Sequence, residues 1–233
     1  MSRKINLWEN PYGNGNIFEK KSIVFNPGVT VLVGCNGIGK TTLINNIISS
    51  LKEEKIPYIS FDNLRDGGDE ARRRALNDEV DYGFVATSMC SSEGENIVMN
   101  IGKFAFKIGQ FIRYGKNNDR LSELVKILSG NVGEEVCKSN ERWILFDAID
   151  SGLSIDNIDD VKELFTTILN DNMDKDVYII VSANGYEMTD NENCLDVVSG
   201  KFLRFFTYDE YKEFILETSR EKERRINRSK KYC

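Results

Sequence analysis

Gly34-Cys35-Asn36-Gly37-Ile38-Gly39-Lys40-Thr41 fits the pattern GxxxxGK[ST] at every fixed position. Its flanks constrain the fold as much as the loop does. Val29-Thr30-Val31-Leu32-Val33 precedes it, short, apolar and β-branched, the composition of a strand buried on both faces of a parallel sheet. Thr41–Lys52 follows in a helical pattern. Glycines between such a strand and helix let backbone N–H groups curl around phosphate oxygens without Cβ clashes. The helix N-terminus adds positive potential at the same point. Lys40 is predicted to reach the β- and γ-phosphates from a solvent-facing loop. The Thr41 hydroxyl is predicted to ligate Mg²⁺, with Thr42 beside it on the first helical turn.

A phosphate-bound metal needs a carboxylate. Trp143-Ile144-Leu145-Phe146 is an apolar strand pattern that ends on Asp147. In a parallel sheet that end faces the ligand crevice, so Asp147 is the expected metal carboxylate, binding directly or through water. An isolated Asp after a strand often only caps the next helix. The phosphate loop upstream gives this one its role.

The remaining chain reads as one α/β domain over residues 1–233. Strand-like segments near Ile5–Trp8 and Ile17–Phe25 flank a turn-rich stretch. Tyr58–Phe61 and Val177–Val181 are further strands. Helices are expected from Glu95 through Phe111, over Asp119–Ser129 and Ile158–Leu169, and in a charged C-terminal segment from Tyr208. With three prolines and no low-complexity spacer, nothing divides the chain.

Composition excludes several classes. There is no histidine, so histidine acid/base chemistry and histidine metal sites are absent. The net charge of −6 disfavours a protein that coats nucleic acid with its whole surface. No apolar run reaches the roughly 18 residues of a membrane span, and the first residues lack the apolar core of a secretory leader. Five scattered cysteines without a CxxC pair fit reduced thiols and a cytoplasmic setting.

The loop Gly34-Cys35-Asn36-Gly37-Ile38-Gly39-Lys40-Thr41-Thr42 resembles the GxNGxGKTT phosphate loop of ABC-type ATPases, particularly their SMC/RecF-like branch. Asp147-Ala148-Ile149-Asp150-Ser151-Gly152-Leu153-Ser154 resembles that superfamily's Walker B segment and D-loop. The resemblance runs from the phosphate loop to about Val181. It implies an ABC-type P-loop fold, a mostly parallel sheet flanked by helices with an N-terminal antiparallel β portion. It also implies Mg·ATP as ligand and a homodimer that closes on ATP. In the family a signature motif caps the γ-phosphate held by the other subunit. Two segments compete for that place: Ser91-Ser92-Glu93-Gly94-Glu95, which opens a helix, and Leu128-Ser129-Gly130, which ends one. Anion recognition needs the N-terminal end, which favours Ser92 and Gly94. An ordinary N-cap explains the serines as well.

Three positions depart from the pattern. Ala148 stands where the family's catalytic glutamate follows the Walker B Asp, and a methyl group takes no proton from water. Asp150 is the nearest substitute base, or else a structural D-loop residue. Asn184 stands at the switch histidine, as a γ-phosphate ligand or as half of an Asn-Gly turn. Asp62-Asn63 replaces the Q-loop glutamine, as a metal or phosphate sensor or as loop-initiating Asx chemistry. Tyr12 is a candidate adenine platform or a surface anchor.

No heptad run supplies a coiled-coil arm. The basic tail within 208–233, like Arg72-Arg73-Arg74, touches nucleic acid or an acidic partner, or is a solvated helix end. Three functions follow. One is a slow ATPase, with Lys40 and Asp150 in catalysis, acting in a DNA-related process. The second is a non-hydrolysing, ATP-dependent interaction module that works with a partner protein. The third is a DNA-processing accessory factor that uses the basic tail.

Overall fold

The computed structural model describes residues 1–7, 18–63, 93–115 and 139–229. The elements in chain order are β1 (Arg3–Asn6), β2 (Ser22–Phe25), β3 (Gly28–Val33), α1 (Lys40–Glu53), β4 (Tyr58–Asp62), α2 (Glu93–Tyr114), β5 (Glu141–Asp147), α3 (Ile155–Asn170), β6 (Asp176–Ser182), β7 (Cys194–Asp196), β8 (Phe202–Leu203) and α4 (Tyr208–Ser229).

β1 and β2 pair antiparallel, with Arg3 opposite Phe25. The main sheet has the order β4-β5-β6-β3-β7-β8. All its pairs are parallel except β7 with β8. The fold is therefore α/β, a mostly parallel sheet flanked by helices with antiparallel N-terminal strands, the architecture that the resemblance implies.

The continuous apolar strands are explained by burial on both faces. Successive side chains point to opposite sides. Leu32, Trp143, Leu145, Tyr178 and Ile180 face a cluster completed by α1 and the β1–β2 pair. Val31, Val33, Ile144, Phe146, Ile179 and Val181 face the other cluster, closed by α2, α3 and Tyr211 of α4. The register sets Trp143 opposite Tyr178, and their rings stack at 4.2 Å. Fully burying each such aromatic contributes about 1.5–3 kcal/mol.

β7 and β8 lie outside the sequence expectation. They are three and two residues long, too short for alternation to register. They exist because Val31 and Val33 offer a ladder to Cys194 and Asp196. β1 also starts earlier than expected, and β2 is confined to the end of its predicted segment.

Tyr12, Arg72–Arg74, Ser91, Ser92 and the segment Asp119–Ser129 where a helix is expected, including Ser129, lie outside the described residues. Among the described residues no helix is long and apolar enough to cross a membrane.

Candidate functional site

The phosphate loop depends on its glycines. Gly34, Gly37 and Gly39 sit at φ of 142°, 70° and 118°, a region that L side chains rarely adopt. A Cβ on Gly34 would stand 2.8 Å from Ile38 Cγ2. The Ile38 N–H donates to the Cys35 carbonyl at 3.2 Å and closes the turn. Cys35 and Ile38 themselves are buried with Val198 beneath the loop.

Gly39 is the N-cap of α1 and has no side chain to satisfy the first-turn N–H groups. The first helical bond back to the cap runs from Leu43 N–H to Gly39 O at 2.9 Å. The N–H groups of Lys40, Thr41 and Thr42 therefore form an uncapped positive helix end.

Lys40 is not solvent-facing as expected: its side chain is only 8% exposed. Its Nζ folds back and donates to the Gly34 carbonyl at 2.7 Å. Burial lowers its pKa below the usual lysine range, opposed by the nearby Asp150 and Asp147 carboxylates. An oxygen-rich anion entering the loop would give this buried ammonium a stronger partner than one carbonyl.

Sheet order brings the second half of the site to the loop. β6 lies between β3 and β5, so Ser182 at its end sits beside Asp147 at the end of β5. The Ser182 hydroxyl donates to Asp147 Oδ1. Ser182 Oγ in turn accepts the Ala148 N–H at 2.8 Å. The resulting cleft of about 260 Å³ is lined on one side by Asn36, Gly37, Gly39, Lys40, Thr41 and Thr42. On the other side stand Asp147, Ala148, Ser182 and Asn184.

The donor set fits Mg²⁺. Thr41 offers a hydroxyl and Asp147 a carboxylate in one cleft. Mg²⁺ keeps several waters and takes only one or two protein oxygens beside phosphate. Among the described residues no group of three or more His, Cys, Asp or Glu forms a cage able to hold a metal without such help.

Beyond Asp147 the chain turns sharply. Ala148 takes φ of 52°, unusual for a residue with a Cβ. Buried Asn63 holds this turn, its Nδ2 donating to Ala148 O at 3.1 Å and Ser151 O at 2.7 Å. At Asn63 the structure shows an Asx-type brace at the end of β4.

Asp150 is buried and does not line the cleft. Its Oδ2 accepts the N–H groups of Asn184 and Gly185 at 2.6 and 2.5 Å. Burial pushes its pKa up, and the two N–H groups pull the other way. Asn184 does line the cleft, and its carbonyl accepts the Tyr211 hydroxyl at 2.5 Å. Gly94, the remaining signature candidate, is the second residue of α2, in the first turn of that helix.

Three contributors were not among the sequence candidates. Ser182 was visible only as a hydroxyl ending a predicted strand. Its role required knowing that β6 adjoins β5. Thr218 and Lys222 come from α4: Thr218 Oγ1 accepts the buried Cys35 N–H at 3.1 Å, and Lys222 Nζ donates to the Asn36 carbonyl at 2.7 Å. No local pattern in a charged helix marks either residue.

No family model and no curated protein matches the chain. Solved structures are similar to it, two of them as follows. One is cbiO1 from Clostridium perfringens, part of the ABC transporter complex cbiONQ, at 14% identity and a TM-score of 0.40, covering 86% of each chain. The other is the ADP conformation of an ATP-binding cassette of an ABC transporter, at 17% identity and a TM-score of 0.44, covering 94% of this chain and 98% of the other. Likenesses this loose carry no weight for what this chain does.

Proposed function

We propose that the chain is an ABC-type P-loop protein of the SMC/RecF-like kind that binds Mg·ATP in the Lys40 cleft, dimerises around it and hydrolyses it slowly. The observation that carries the reading is the meeting of Lys40, the uncapped start of α1 and Asp147 in one cleft.

The residues divide the work. The first-turn N–H groups and the loop backbone hold phosphate oxygens. Lys40 would exchange its bond to Gly34 for the β- and γ-phosphates. Thr41 and Asp147 would hold the metal, with the Ser182 hydroxyl fixing the Asp147 carboxylate. Mg²⁺ when bound would neutralise phosphate charge. Gly94 of a second copy would approach the γ-phosphate from the start of α2, with Ser92 as the other signature residue. The basic tail is the candidate contact for nucleic acid or for a partner protein.

Slow turnover follows from Ala148. Losing a positioned general base costs about 10²- to 10⁴-fold. A second reading, a nucleotide-dependent interaction module without hydrolysis, is favoured by one observation: Asp150, the substitute base, stands behind the cleft with one oxygen committed to two backbone N–H groups.

Calorimetric titration with Mg·ATP tests the binding site. The wild-type chain binds and Lys40→Ala does not. Unchanged binding by Lys40→Ala removes the assignment. ATP turnover at high protein concentration, with Lys40→Ala as blank, then separates the two readings.

A further inference from the structure

The C-terminal helix engages both sides of the cleft. Tyr211, Thr218 and Lys222 fall at helical spacing and share one face of α4. Tyr211 bonds to the Asn184 carbonyl, and Thr218 and Lys222 bond to consecutive residues of the phosphate loop.

Lys222 is the unusual member. Its Nζ donates to Asn36 O, and a Cβ on Gly37 would lie 2.8 Å from that Nζ. Asn36 and Gly37 both line the cleft. Lys40 makes the same kind of contact two residues upstream, on Gly34 O. Two ammonium groups thus rest on carbonyls of one tight turn. Among the described residues Lys222 has no carboxylate partner. An ammonium carries three donors, and a single carbonyl leaves its charge uncompensated. Polyphosphate is the anion that would neutralise both lysines at once.

We propose that Lys222 is a second phosphate-binding cation of the Lys40 cleft, contributed by the C-terminal helix, and that it favours a nucleoside triphosphate over a diphosphate. The proposal rests on the nucleotide reading above. Lys222 pivots on its flexible stem from the Asn36 carbonyl over Gly37 toward the phosphates. The additional negative charge of the triphosphate strengthens the pull. By linkage, bound triphosphate holds α4 more firmly on the loop, which couples the basic tail to the nucleotide state.

The test is calorimetric titration of the full chain with Mg·ATP and Mg·ADP, alongside nucleotide-free thermal melts. The proteins are wild type, Lys222→Met, Lys222→Arg and Lys40→Ala. Methionine keeps the stem and removes the charge. The expected result is a loss of roughly fivefold or more in Mg·ATP affinity for Lys222→Met. The loss for Mg·ADP is smaller, the nucleotide-free melting temperature is unchanged, and Lys222→Arg keeps most of the affinity. Equal ATP-to-ADP ratios in wild type and Lys222→Met overturn the proposal. So does an equal loss of both nucleotides with a lowered melting temperature, which makes Lys222 a loop clamp only. A wild-type chain that binds neither nucleotide overturns the nucleotide reading itself, a result distinct from the other two.

Discussion

Asp150 Oδ2 accepts the Asn184 N–H at 2.6 Å, tying the turn after β5 to the end of β6. The bond joins two segments that the sequence resemblance assigns to separate motifs. It gives a buried carboxyl a structural duty beside the cleft that Lys40 and Asn184 line. Burial holds that carboxyl above its ordinary range.

The first prediction concerns pH. The folded chain keeps the Asp150 proton to a higher pH than the unfolded chain does. In the interval between the two pKa values the folded state binds more protons, so this group's contribution to stability falls as pH rises. Thermal melts of wild type and Asp150→Asn from about pH 4 to pH 8 check this. The wild-type melting temperature should drop relative to the variant as pH rises. A constant difference would assign the titration elsewhere.

Turnover gives the second prediction. Ala148 already holds the left-handed backbone at φ 52°, so Ala148→Glu adds a carboxylate without a new kind of backbone strain. Steady-state hydrolysis should rise roughly tens-fold or more, toward the general-base range. If Ala148→Glu has no effect while Asp150→Asn abolishes hydrolysis, Asp150 is the base. Absence of turnover in every variant identifies the interaction module.

Thr218 carries the third. Its buried Oγ1 accepts the Cys35 N–H and donates to Ile215 O at 2.9 Å. Thr218→Val keeps the shape and strands a buried N–H, at a cost of about 1–3 kcal/mol. For a chain of this size the melting temperature should fall by about 2–4 °C for each kcal/mol lost. Mg·ATP affinity should weaken with it, because Cys35 belongs to the phosphate loop. A Thr218→Val protein that melts with wild type would show that water replaces the hydroxyl.

The fourth is the oligomeric state. If Ser92 and Gly94 complete the site of a second copy, Mg·ATP must promote association by mass action. Light scattering should report a dimer in Mg·ATP and much less of it in Mg·ADP. Ser92→Arg should abolish the dimer. A monomer under all conditions removes the shared-site arrangement. A dimer that survives Ser92→Arg places the contact elsewhere.

The glycine-rich turn before α1 was legible because it is local. Gly34, Gly37 and Gly39 are required by φ values that a short turn imposes, whatever the rest of the chain does. The strands β3, β5 and β6 were legible because burial on both faces leaves unbroken apolar runs. The helices α1 and α3 announced themselves by periodicity within a residue or a few of their ends. β7 and β8 were hidden, because strands this short are made by their neighbours rather than by their own composition.

What sequence alone determined was that Lys40 and Thr41 open a helix after a glycine-rich turn and that Asp147 ends an apolar strand, each set by its immediate neighbours. Which of the remaining polar residues join them depended on strand order and helix docking, which are long-range properties. Inserting β6 between β3 and β5 put Ser182 on Asp147. The turn at Ala148 buried Asp150 against Asn184 rather than in the cleft. The docking of α4 laid Thr218 and Lys222 on a loop more than 180 residues upstream. A hydrogen bond across that separation leaves no periodic trace in either segment, so only the folded chain decides it.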